Sequence, residues 1–148
     1  MKLTKRVLNR TAKPVTFQYP ERNRMISEHL FDFMHKQNGI GLAAPQVGMS
    51  QRVFVMLVHG VRRACFNPEV LQQSDVLADF DEGCLSFPGD QCTIVRPDWV
   101  EVRYQDHQGT AHTETLVGLQ ARCFQHELDH LDGVTMWDRY KEQNANKS

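Results

Sequence analysis

The run Gln125-His126-Glu127-Leu128-Asp129-His130 constrains this chain more than any other segment. On a helix, residues i and i+4 share a face, so His126 and His130 can hold one metal ion between them. Glu127 then stands beside the ion and can take a proton from an attacking water. Each helical residue advances about 100°. By that count Leu119, Cys123, His126 and His130 share one side, and Val117, Phe124, Leu128 and Leu131 gather roughly opposite. A helix apolar on both sides is buried all round. Polar groups buried on one turn of such a helix need compensation, and metal ligation supplies it.

A third protein ligand decides the class of site. One protease class extends the motif to His-Glu-x-x-His-x-x-Gly-x-x-His. Gly133 falls in place, but Met136 stands where the last histidine belongs. A glutamate from a downstream helix is a second solution, and only Glu142 follows, in a polar tail expected to fray from about residue 141. The best upstream candidate is Cys84, in Glu-Gly-Cys-Leu-Ser, because a thiolate binds such ions strongly. Imidazoles from His126 and His130, the Cys84 thiolate and one open position make a catalytic site rather than a closed structural one.

Around that helix the chain reads as α+β, with antiparallel strands and an N-terminal helix. Pro20-Glu21 opens a stretch whose Met25, Ile26, His29, Leu30, Phe33 and Met34 recur at helical spacing, stopped by Asn38-Gly39. Residues 40 to 48 read as a loop. Arg52 to His59 and Val61 to Phe66 read as a strand pair, ended by Asn67-Pro68. Trp99 to Tyr104 and Thr110 to Leu116 read as a hairpin around Asp106 to Gly109. The motif helix spans about Val117 to Asp132.

Seventeen Lys and Arg against 18 Asp and Glu leave a net charge of −1. That balance gives no broad electrostatic case for nucleic acid or an anionic membrane. No segment is apolar over a bilayer's width, and the first residues lack the apolar stretch of a secretory signal. An intracellular setting with reduced thiols is expected. The cysteines Cys65, Cys84, Cys92 and Cys123 form no C-x-x-C pair, and disulfides are not expected.

Three segments together resemble peptide deformylase. They are Gly39-Ile40-Gly41-Leu42-Ala43-Ala44-Pro45-Gln46, Glu82 to Ser86, and Gln125 to His130. Asn67-Pro68 and His130 to Gly133 match as well. The resemblance spans about Leu8 to Tyr140 and implies one catalytic domain over residues 1–148. It implies removal of the formyl group from N-formylmethionyl peptides. Cys84, His126 and His130 would hold the metal, and Glu127 would be the general base and acid. Gln46 and the Leu85 backbone N–H would stabilise the oxyanion. Backbone groups of Ile40 and Gly41 would hold the peptide extended, and Leu119 and Cys123 would receive the methionine side chain, with the aliphatic stem of Arg122 at the rim. Glu82 would pair with Arg96 behind the cysteine loop. The family implies one divalent ion, ferrous iron (Fe2+), with Zn2+, Ni2+ or Co2+ able to substitute. It implies a cytoplasmic enzyme of a bacterium or phage-infected host, or an organellar one. Gln91 departs from the arginine that many members carry near the peptide. The short polar tail resembles that of short members found in some phages, and weak or no direct ribosome binding is expected.

Overall fold

The computed structural model describes residues 1–145. Helix α1 (Pro20–Lys36) leads to strand β1 (Gly41–Ala43), a 3-10 turn (Ala44–Val47) and strand β2 (Val53–Val58). Strands β3 (Val61–Gln73), β4 (Leu77–Glu82), β5 (Cys92–Pro97), β6 (Trp99–Gln105) and β7 (Ala111–Val117) follow, then helices α2 (Gly118–Leu131) and α3 (Met136–Asn144). Five strands form an antiparallel sheet in the order β1-β2-β3-β6-β7, with β1 at one edge. Strands β4 and β5 make a separate two-stranded hairpin. No helix among the described residues is long and apolar enough to cross a membrane.

The unbroken apolar run of β2 follows from burial on both faces. Phe54 and Met56 join Phe124, Ala121 and Leu131 of α2 in one core. Val53 and Val55 point the other way, into a second core with Leu30, Phe31 and Met34 of α1. The sheet thus carries a helix on each face. Phe54 meets Phe124 edge to face, ring centroids 5.0 Å apart at 82°, a geometry that adds to simple area burial. The α+β reading therefore holds, with the motif helix central and buried on several sides.

The lower end of α2 is sealed by the N-terminal segment. The Leu131 carbonyl accepts from the Ala12 N–H at 2.8 Å and from Arg52 Nη1 at 3.0 Å. Gly133 follows with φ +75°, and a Cβ there would lie 2.9 Å from the Asn9 carbonyl carbon. Both the backbone angle and the close approach demand glycine.

Several elements differ from expectation. Strand β1 arises inside the stretch read as a loop, by pairing three residues with β2. Strand β3 does not stop at Phe66. A register shift between Phe66 and Glu69 absorbs Asn67 (φ +50°) and Pro68 as a bulge. The Asn67 amide takes the place of ladder bonds, pairing with both backbone groups of Val15 at 2.8 and 2.9 Å. The β4–β5 hairpin was not expected at all. The tail expected to fray from about residue 141 is helical as far as Asn144. Thr135 and Asp138 form a reciprocal capping box at the start of α3. The Gln143 amide pairs with both backbone groups of Val95 at 2.9 Å and fastens the helix to β5. The last three residues, 146–148, lie outside the described part.

Candidate metal centre and active site

Helix α2 presents His126, Glu127 and His130, and the loop after β4 presents Cys84. Their candidate donor atoms from Cys84, His126 and His130 all lie within 4.8 Å of one another. The Cys84 Sγ stands 3.3 Å from His130 Nε2, and the imidazole rings meet edge to face at 5.0 Å. His126 turns Nδ1 to Glu82 Oε1 at 2.9 Å. A proton on Nδ1 leaves the Nε2 lone pair for a ligand, which is how metal-binding histidines are commonly oriented. A thiolate with two imidazoles suits a d-block divalent cation. His130 Nδ1 and Glu127 Oε1 are buried without hydrogen-bond partners. Donor set and spacing fit a bound cation here.

The charges around the centre are strongly shifted. Burial pushes the Glu127 carboxyl up to about 7, against the opposing pull of His126. A carboxyl in that range is matched to proton transfer near neutrality. Burial pulls the His126 imidazolium down, but bonds to Cys84 and Glu82 outweigh it and hold its pKa up at about 10. His130 is held well below the ordinary range by burial and by the charge of His126. Burial alone would raise Glu82, yet the bonds from His126 and Arg96 bring it down to about 2.

Behind the centre lies an ion cluster. Arg96 forks onto Glu82 through Nε at 2.6 Å and Nη2 at 2.9 Å, and its Nη1 reaches Asp129 at 2.8 Å. Arg139 of α3 closes on the other side of Asp129 at 2.8 and 3.0 Å. The Glu82–Arg96 pair read from sequence is present. Asp129 and Arg139 were not read as part of it, although Asp129 stands inside the motif. Removing one member of such a buried cluster costs roughly 3 to 5 kcal/mol.

Above the centre, Gln46 is held from two sides and is 1 % exposed. Its Oε1 accepts from the Ala43 N–H at 2.9 Å, which directs Nε2 to Ser86 Oγ at 3.1 Å and to Cys84 Sγ at 3.6 Å. Ser86 escaped the sequence reading of the site. Leu85 follows Cys84 and lines the same cleft, which has a volume of about 620 Å³. Leu119 and Cys123 also line it, as does the half-exposed Ile40. The Ile40 carbonyl accepts from Leu57 N–H at 2.8 Å. Antiparallel alternation then turns the backbone groups of Gly41 to the open edge of β1. A Cβ on Gly41 would lie 2.7 Å from Glu127 Oε2 and 2.9 Å from Cys123 Sγ. The glycine lets the strand edge approach the buried acid. Arg122, whose aliphatic stem was expected at the rim, lines the cleft as well. Its guanidinium head turns inward to Glu82, drawn by the buried carboxylate.

A cation site of one thiolate and two imidazoles, a buried carboxyl beside it, and a cleft along an open strand edge define a metallohydrolase. The sequence pattern of the polypeptide deformylase family matches residues 1–146, and the chain belongs to that metal-dependent family. It is 47 % identical over 135 residues to a peptide deformylase of Thermotoga neapolitana, covering 91 % of this chain and 82 % of that one. A crystal structure of peptide deformylase from Thermotoga maritima is 45 % identical and superposes with a TM-score of 0.87 over 90 % of each chain. A class I type b peptide deformylase from Acinetobacter baumannii is 33 % identical, with a TM-score of 0.89 over 93 % of this chain and 97 % of that one.

Proposed function

We infer that this protein removes the formyl group from N-formylmethionine at the start of nascent peptides. The observation that carries the reading is the meeting of the Cys84, His126 and His130 donor atoms within 4.8 Å beside a buried Glu127. Family membership supports the same reading. Cys84, His126 and His130 hold the cation, which is ferrous iron in the cell, with Zn2+, Ni2+ or Co2+ as substitutes. Such a cation supplies an acidified water and a polarised carbonyl.

The residues divide the remaining work. Glu127 takes the proton as water adds to the formyl carbon, keeps it, and passes it to the departing amine. The Gln46 amide and the Leu85 backbone N–H receive the charge that grows on the formyl oxygen. One such donor is typically worth roughly 3 to 4 kcal/mol in the barrier. The peptide lies along the open edge of β1 at Gly41, extended like an added strand. The methionine side chain packs against Leu119 and Cys123, both of which line the cleft. Cys84 acts as a ligand and not as a nucleophile. The setting is one where bacterial-type synthesis supplies formylated starts, a bacterial or phage-infected cytoplasm or an organelle.

Hydrolysis of formyl-Met-Ala-Ser by the metal-loaded protein tests the reading. Release of formate, with acetyl-Met-Ala-Ser left intact, is the expected result. Metal-loaded, folded protein that leaves the formyl peptide uncut would overturn it, and cutting of internal peptide bonds instead would mark an endopeptidase.

A further inference from the structure

Arg122 lies one turn before His126 on α2, facing the cleft that it helps to line. It is nevertheless only 8 % exposed. Its Nη1 donates to Glu82 Oε2 at 2.6 Å and to the Ile94 carbonyl at 3.0 Å. Its Nη2 donates to the Ala78 carbonyl at 2.7 Å. The Phe80 ring covers the guanidinium, 5.3 Å from centroid to carbon. One planar fork thus grips a carboxylate and the backbone of both strands of the β4–β5 hairpin.

The carboxylate it grips is the one that orients His126. Glu82 Oε2 accepts from Arg96 Nε and Arg122 Nη1, and Oε1 accepts from Arg96 Nη2 and faces His126 Nδ1. Both oxygens are therefore saturated. Loss of either arginine leaves a buried oxygen underbonded and frees the carboxylate to rotate, and the His126 ring turns with it. The hairpin needs the same grip. Among the described residues, strand β4 pairs with β5 alone. Leu77 is 59 % exposed and Phe80 53 %, so side-chain burial holds β4 weakly. The Arg122–Ala78 bond ties the strand directly to α2.

We propose that Arg122 is a positioning residue that fixes Glu82 behind the metal ligand His126 and pins β4 as one wall of the cleft. A lysine keeps the charge but not the fork, since a single ammonium cannot hold this planar set of acceptors. The proposal rests on the metal site and not on the identity of the reaction.

The test compares wild type, Arg122→Met and Arg122→Lys, each loaded with Co2+. The readouts are the visible absorption of the bound cobalt, the rate of cobalt transfer to a chelator, and kcat and KM on formyl-Met-Ala-Ser. Arg122→Met should shift the cobalt bands, release the metal about 10-fold faster or more, and lower kcat more than it raises KM. Arg122→Lys should fall between it and wild type. In a Glu82→Gln background, Arg122→Met should add little to the cobalt spectrum, because Arg122 reaches the metal ligand through that carboxylate. An unchanged spectrum and release rate with only KM raised would make Arg122 a rim contact and overturn the proposal. So would full additivity with Glu82→Gln in the cobalt spectrum. Should Arg122→Met fail to fold, Arg122→Lys reads the same quantities, and wild-type values in it would overturn the fork. Wild type that binds cobalt but spares the formyl peptide defeats the deformylase reading, and the spectra still decide Arg122.

Discussion

The Gln46 amide nitrogen stands 3.6 Å from the Cys84 sulfur, and the Ala43 N–H at the other end of the amide fixes which atom faces that way. A donor aimed in advance needs no rearrangement during reaction. Gln46→Ala should lower kcat about 10² to 10³-fold while the protein keeps its metal, read by steady-state kinetics beside metal analysis. Undiminished kcat would remove Gln46 from the oxyanion site.

Gly41→Ala places a methyl group against Glu127 and Cys123. Glu127 must move to make room, so kcat should fall at least about 10-fold, since small misplacements of reacting groups are costly. Circular dichroism should remain native. A fully active alanine variant would show that the acid has slack.

Metal uptake should acidify the solution. Without a cation, His126 stays protonated up to about 10, and a ligand must give up that proton. Loading the metal-free protein at pH 8 in weak buffer, with an indicator dye, should release protons in proportion to metal bound. Uptake without release would contradict the assigned protonation.

Acid stability has a contribution far from the metal. The hydrogen bonds from Arg63, at 2.9 and 3.0 Å, hold Glu114 below its ordinary value of 4.5, with Tyr104 donating as well. A depressed carboxyl stabilises the fold above the unfolded value, and that stability is lost as pH falls through the folded value. Thermal melting of wild type should therefore weaken as pH drops below about 4.5. Glu114→Gln should melt lower at neutral pH and lose less on acidification. Parallel melting curves for the two proteins would assign the acid limb elsewhere.

Phe124→Ala opens a void between α2 and β2, beside Phe54. A loss of about 3 to 5 kcal/mol is expected, read from urea unfolding. A loss under about 1 kcal/mol would mean that the helix repacks.

Much of the site was legible because its parts are local. His126, Glu127 and His130 owe their common direction to helical spacing alone, and Gln46 and Cys84 stand in motifs of their own. Where Arg122 points was not legible. A long side chain follows its partner, and Glu82 lies on a strand that sequence pattern did not announce. Strand β4 reads Leu-Ala-Asp-Phe-Asp-Glu, with the polarity of a surface loop, and becomes a strand by pairing with β5. Strand β1 is three residues long, too short for any period to appear. Pro68 looked like a stop because the bulge that accommodates it needs a partner strand, β6, still distant in sequence.

The seal at the end of α2 sets an order of events. Residues 9 to 12 close the last turn of the helix whose His130 belongs to the metal centre. They are made well before their partner Leu131 arrives. Until then the helix has an open end, and closing so long a loop is slow compared with forming the neighbouring hairpins. The His130 end of the metal centre is therefore expected to be among the last parts of the fold to close.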